Sequence, residues 1–228
     1  MSSSEPYIEL PGGGHVLFTG RSDGNMSSVA GDGAEHGASA RERLRERLGL
    51  ERLARGYQVH GSIVRRVELA LHDEPAPGRG AEADGQATAT PRIGTIVLAA
   101  DCMPIALGGR RAVAMLHAGW RGLAVGVVEE GVRALRDLAG RQEVVAVVGP
   151  CAGVCCYEVG PEVHGAFADS HREGSHIDLR AIARDRLLAA GVSEVRDVRA
   201  CTICDERYFS HRREGSRAGR QAGLAWLS

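Results

Sequence analysis

TIVLAADCMPIALGGRRAVAMLHAGWRG, residues 95–122, places two short apolar runs directly before reactive side chains and then opens a helix. Residues 93–100 and 112–116 have the length and composition of buried strands, and 144–148 is a third such run. Between the last two a helix is expected over 121–138, with Leu123, Val127, Val132 and Leu135 forming its apolar stripe. Strands that alternate with helices indicate an α/β domain.

Outward from this centre the chain is less regular. Residues 1–14 read as a lead-in that tightens into a strand at 15–19. Residues 21–39 are rich in Gly, Ser and Asp and read as loop, followed by an Arg/Glu-rich helix over 40–48 that Gly49 stops. A linker-like stretch, DEPAPGRGAEADGQ at 73–86, is expected to join two parts of one domain spanning 15–228, since neither side has enough apolar segments to fold alone. A further helix is expected over 180–190, with Asp178 near its start and Gly191 past its end.

Composition narrows the function. The 228 residues are 43% apolar and 25% charged, and 28 Lys+Arg against 29 Asp+Glu leave a formal charge of −1. That balance gives no electrostatic pull toward nucleic acid or an anionic membrane. All 28 of those cationic residues are arginine, so a lysine Schiff base is excluded and any cationic group in the site must be a guanidinium. The N-terminus has no basic, apolar leader, and no apolar run approaches the ~20 residues that span a bilayer. A cytoplasmic location is expected, where six cysteines act as thiols or metal ligands rather than disulfides.

The chemistry collects just after the apolar runs. Gln58-Val59-His60-Gly61 closes one extended segment, Asp101-Cys102 follows TIVLAA, His117 to Gly122 follows AVAML, and Gly149-Pro150-Cys151 follows VVAVV. Ligands of open α/β sheets bind outside the carboxyl ends of strands, so the placement points to one site. A helix opening near Arg121 would also offer free N–H groups to an anion such as phosphate. Two imidazoles and a thiolate, His60, His117 and Cys102, suit a catalytic zinc with a fourth position for water, whose pKa then falls to about 7. Taken singly the same residues have plainer readings: a histidine bonded at a strand end, a cysteine buried as a small hydrophobe. Their separations of 42 and 15 residues match no compact metal motif.

Two other features remain open. Cys201-Thr202-Ile203-Cys204 is half of a structural zinc site or a redox pair, but Cys151, Cys155 and Cys156 lack the matching spacing, so buried or idle thiols are expected. The stretch 209–220 carries His211, Arg212, Arg213, Arg217 and Arg220, either a solvated basic face or the source of a bidentate phosphate contact.

The ordered series QVHG (58–61), ADG (83–85), ADCMPIAL (100–107), HAGWRG (117–122), VGPCAGVCCYEVG (148–160), DL (178–179) and CTICDERYFSHRREGSRAGRQAGLAWL (201–227) resembles the laccase-domain family. Its members, once called polyphenol oxidases, are now regarded as purine nucleoside phosphorylases. The resemblance implies a four-layer α-β-β-α sandwich with mixed sheets in a single domain. It implies phosphorolysis of adenosine, inosine and S-methyl-5'-thioadenosine, with adenosine deamination besides. The family's zinc ligands fall on His60, Cys102 and His117, and Arg21 in TGR is implied as a substrate or phosphate contact. Residues 22–28, SDGNMSS, depart from the longer glycine-rich loop of the family, and no contact is carried onto them.

One zinc ion is expected rather than copper, because a multicopper cluster needs paired histidines and the chain has no His-x-His. The expected partners are purine nucleosides and phosphate, handled by a monomer or weak homodimer without nucleic acid or membrane. Arg121 and Arg21 are the candidates for phosphate. Asp101 and Glu158 are candidate proton shuttles for deamination, Asp101 equally a residue that orients a metal ligand. The rival readings are a metal-free hydrolase with Cys102 as nucleophile and His117 as base, and a non-catalytic binding module.

Overall fold

A computed structural model describes residues 7–68, 81–168 and 170–228. The first six residues of the expected lead-in, and 73–80 of the expected linker, lie outside the described residues. The strands are β1 Ile8–Leu10, β2 Gly14–Phe18, β3 Arg52–Ala54, β4 Val64–Arg66, β5 Gly85–Thr88, β6 Ile93–Ala99, β7 Met103–Gly108, β8 Val113–Ala118, β9 Val145–Val148, β10 Arg172–Glu173, β11 His176–Ile177, β12 Glu194–Asp197 and β13 Gln221–Leu227. The helices are α1 Gly37–Arg47, α2 Trp120–Ala124, α3 Val127–Ala139, α4 Pro161–Ala166, α5 Leu179–Ala189 and α6 His211–Glu214.

Two mixed sheets carry the fold, in the orders β1-β2-β13-β6-β3 and β12-β9-β7-β8-β5-β4. Side chains alternate across a strand, and here the alternation sorts most of the described core into three layers of contact. Val16, Val97 and Ala225 of the first sheet meet Ala106, Val113, Met115 and Val147 of the second. On the outer face of the first sheet, Leu17, Ile96, Leu98, Leu224 and Trp226 pack on Ala40 and Leu44 of α1. On the outer face of the second, Ile105, Leu107, Leu116 and Val148 pack on Val132 and Leu135 of α3 and on Ile182 and Leu187 of α5. The order is helix, sheet, sheet, helix, the four-layer sandwich that the motifs implied. Truncating a fully buried residue such as Leu116 to Ala at such a contact costs roughly 2–5 kcal/mol.

The parity of β8 matters for the site. Val113 and Met115 point between the sheets, so His117, two residues on, shares that side at the strand's end. Opposite Met115, the first sheet comes so near that a Cβ on Gly223 would sit 2.7 Å from the Pro104 Cβ.

Several elements differ from the sequence expectations, each for a local reason. The helix expected over 121–138 is two helices, α2 and α3, broken where Gly126 takes φ +95°. Strand β7 was hidden by Pro104, which reads as a strand breaker. It lies beyond the β7–β9 register, which starts at Ile105, where the missing N–H costs little. Strand β13 is buried along its whole length between β2 and β6, and its small residues show no alternation to read. Residues 8–10 of the lead-in pair with β2 as an edge strand, and the end of the expected linker enters β5. The helix over Leu179–Ala189 starts as expected, with the Asp178 carboxylate accepting from the N–H groups of Arg180 and Ala181.

Candidate active site

Asp84 organises the site. Its carboxylate is fully buried and accepts three successive backbone N–H groups, from Val59 (3.1 Å), His60 (2.9 Å) and Gly61 (2.7 Å). His60 sits at φ +60°, a left-handed conformation that costs a non-glycine residue on the order of 1–3 kcal/mol; the buried carboxylate holds the turn in place. The same carboxylate faces Nδ1 of His117 at 2.8 Å. The Nδ1–H then donates to Asp84, and Nε2 of His117 is the atom left to bond Cys102. Burial pushes the Asp84 carboxyl up, but the bonds from His117, Gly61 and Val59 outweigh it and hold the group below the usual carboxylate value.

The ligand atoms of His60, Cys102 and His117 all lie within 4.8 Å of one another. The two imidazoles meet edge to face with centroids 4.9 Å apart. Gly119 completes the packing: a Cβ there would approach Cys102 Sγ to 2.9 Å and His60 Cδ2 to 3.0 Å, so HAGW needs glycine at that position. Burial raises the Cys102 thiol, yet the charge of His117 and hydrogen bonds from His117 and His60 bring it down to about 6. Burial likewise lowers His117, while Cys102 and Asp84 together lift it to about 9. At neutral pH, without metal, the pair is therefore a thiolate and an imidazolium.

These three side chains form one wall of a cleft of about 690 Å³. Arg121, Arg220 and His211 line it as well, together with Arg55, Tyr57 and the Ser27–Ala30 segment. Arg121 stacks over the Trp120 ring at 4.2 Å. Arg220 is held by the carbonyls of Ala218 (2.5 Å) and Gly219 (2.9 Å), and burial lowers its pKa.

Three sequence candidates lie elsewhere. Arg21 bonds Glu214 at 2.6 Å, donates to the carbonyls of Glu206 and Tyr208, and stacks on Phe209, and it is absent from the cleft lining. Asp101, at φ +84°, has both carboxylate oxygens engaged, by Thr202 Oγ1 and by the Arg212 N–H, each at 2.7 Å. Glu158 borders a separate recess of about 510 Å³ with Trp120, Tyr157 and Arg212. Asp84 carries no signal in the sequence beyond its place in ADG; its burial and its contacts to His60 and His117 become visible only in the fold. The cleft arginine Arg220 stood in the basic stretch without distinction from its neighbours.

Two imidazoles and a thiolate, one ring anchored by a buried carboxylate and the group open to a cleft, could hold a single metal ion. A family model described as multi-copper polyphenol oxidoreductase laccase matches residues 14–228. Among curated relatives, the purine nucleoside phosphorylase of Xylella fastidiosa strain 9a5c is 40% identical, covering 90% of this chain and 84% of its own. The purine nucleoside phosphorylase YfiH of Escherichia coli K12 is 34% identical over 89% of this chain and 86% of its own. A solved Neisseria meningitidis protein superposes with a TM-score of 0.84 at 29% identity, covering 98% of this chain and all of that one. YlmD of Geobacillus stearothermophilus superposes at 0.83 with 26% identity, covering 100% and 98%.

Proposed function

The chain belongs to the multi-copper polyphenol oxidoreductase laccase family, and from that premise we propose that it is a zinc-dependent purine nucleoside phosphorylase. The observation that carries the reading is the convergence of His60, Cys102 and His117 on one wall of a cleft whose other walls carry guanidinium groups. A cleft of about 690 Å³ is the size of a small-molecule site and can take a nucleoside with phosphate. The substrates are adenosine, inosine and S-methyl-5'-thioadenosine, and adenosine deamination is a second activity of the same site. The unit that acts is residues 15–228 behind a short lead-in, in the cytoplasm, as a monomer or weak homodimer without nucleic acid. Among the described residues no helix is long and apolar enough to cross a membrane.

His60, Cys102 and His117 hold the zinc, and Asp84 fixes the tautomer and direction of His117. When bound, zinc supplies Lewis-acid polarisation and a lowered pKa for water. Arg121 and Arg220 grip phosphate at the cleft, with His211 beside them. Arg21 stays a candidate for contacting substrate or phosphate, and its bonds to Tyr208 and Glu214 also hold the 207–214 segment that carries His211. Tyr57 and Leu98 offer an apolar wall to the purine. Asp101 and Glu158 remain the candidate shuttles for deamination; Asp101 is the nearer in sequence to Cys102, with its carboxylate committed to Thr202 and Arg212.

A second reading rests on the same geometry. A Cys102 thiolate bonded to His117, itself oriented by Asp84, is the arrangement of a cysteine hydrolase. Supplying inosine with and without phosphate separates the two. The phosphorylase reading expects free base and a pentose 1-phosphate only when phosphate is present, and loss of both in His60→Ala. Phosphate-independent turnover that survives metal removal would establish the hydrolase instead.

A further inference from the structure

Away from the cleft, four of the six cysteines come together. The sulfurs of Cys155, Cys156, Cys201 and Cys204 all lie within 4.8 Å of one another. Cys204 Sγ is 2.9 Å from Cys156 Sγ and 3.5 Å from Cys155 Sγ. The two halves come from the loops that follow β9 and β12, parallel neighbours in the second sheet. A bridge between Cys151 and Cys201 extends that pairing, with Thr202 N donating to Cys151 O at 3.0 Å and Cys151 N to Ala200 O at 3.2 Å. Arg180 ties the same strands from beneath, donating to the carbonyls of Cys151 (3.3 Å) and Ala200 (2.5 Å).

The surroundings of Cys201 are those of a sulfur that carries charge. Gly153 N–H donates to Cys201 Sγ at 3.3 Å, and the N–H groups of Ile203 and Cys204 are directed at the same atom. N–H groups from the second and third residues after the first cysteine of a CxxC turn spread the charge of a ligating thiolate over the backbone. Gly153 also makes room for the cluster, since a Cβ there would sit 3.3 Å from Cys155 Sγ and 3.4 Å from Cys201 Sγ. Arg213, paired with Glu214 at 2.7 Å, donates to the carbonyls of Thr202 (2.8 Å) and Ile203 (2.9 Å) and so fixes the CxxC turn.

We propose that Cys155, Cys156, Cys201 and Cys204 form a second metal site, a closed tetrathiolate for one structural zinc ion. Four soft thiolates select zinc over the hard cations, and four protein ligands leave no position for substrate or water. Two of the thiols are exposed, which gives the ion a path in. The clamp also bears on the active site, from which it is chemically separate. Thr202 donates to the Asp101 carboxylate and Ala152 N–H to the Asp101 carbonyl (2.9 Å), so the joined loops fix the turn from which Cys102 projects. This site stands whether or not the phosphorylase reading holds.

The test is zinc content of the full chain, grown with zinc and purified under reducing conditions without chelator. Two zinc ions per chain are expected, falling to one in Cys102→Ser and to one in the Cys155→Ser/Cys204→Ser double variant. Should the double variant fail to fold, the unmutated chain decides. Loaded with cobalt(II), it should show the sulfur-to-metal charge-transfer absorption of a four-thiolate site. Its four cysteines should resist N-ethylmaleimide until a chelator is added. A single zinc that vanishes in Cys102→Ser would overturn the proposal, as would alkylation of the four thiols at equal rates with and without chelator. Disulfides among them in the reduced preparation, or iron in place of zinc, would overturn it as well.

Discussion

The two sulfur-bearing clusters of this molecule differ in the number of donors they bring together and in what surrounds them. His60, Cys102 and His117 bring three donors to the wall of a cleft and leave one side open; the four-cysteine cluster brings four donors and closes on itself. The first draws on residues at the ends of different segments, propped by the buried carboxylate of Asp84. The second joins two neighbouring loops through backbone N–H groups and two short cysteine pairs. Three donors on an open wall leave a position for water or substrate, and four donors leave none, so on the roles proposed for them the two clusters part by donor number.

Substitutions sharpen the contrast in decreasing order of effect. Cys102→Ser removes a ligand from the open site and should lower phosphorolysis by more than about 100-fold, beyond what loss of a supporting residue does. A rate within tenfold of the parent would break the comparison. Asp84→Asn leaves all three donors but weakens the hold on His117, and activity or zinc affinity should fall by roughly 10–100-fold, read by steady-state kinetics and competitive metal titration. The Asp84 carboxyl is depressed in the folded chain, so its stabilisation is complete above the ordinary value of 3.8 and is lost as pH falls below it. Asp84→Asn should accordingly flatten the acid limb of the stability curve.

The pH response of metal binding is a third test. Without metal, His117 is held near 9 by Cys102 and Asp84 against burial, and Cys102 near 6. Zinc must displace the His117 proton, so between about pH 6 and 9 its apparent affinity should rise about tenfold per unit and flatten above. Zinc titrations across that range check it. Affinity for zinc at the open site that is flat from pH 6 to 9 would contradict the ion pair.

The smallest effect on rate is expected at the four-cysteine cluster. Cys155→Ser/Cys204→Ser should keep activity at low temperature within about twofold, yet melt earlier. An ion present at ~1,000 times its Kd adds about 4 kcal/mol, and at roughly 2–4 °C per kcal/mol in a chain of this size that is on the order of 10 °C. Calorimetry with and without chelator reads the difference.

What could be read from the chain follows from what each feature depends on. The strands at Ile93–Ala99, Val113–Ala118 and Val145–Val148 and the α5 helix announce themselves through local apolar runs and a cap. β7 and β13 do not, one because Pro104 masks it and the other because a strand covered on both faces shows no alternation. The three cleft residues His60, Cys102 and His117 were legible as motifs, but their meeting depends on sheet packing that no spacing of 42 and 15 residues encodes. Asp84 was invisible for the same reason, and so was the approach of Cys155 and Cys156 to the CxxC turn. Arg21 shows the limit of a motif from the other side, since its pairing with Glu214 and its stacking on Phe209 are not visible in TGR.

The most direct test compares inosine phosphorolysis at low temperature in two single-zinc proteins, His60→Ala and Cys155→Ser/Cys204→Ser. Activity should be lost in the first and retained in the second. Retention in His60→Ala, with zinc bound only by the four cysteines, would contradict the account.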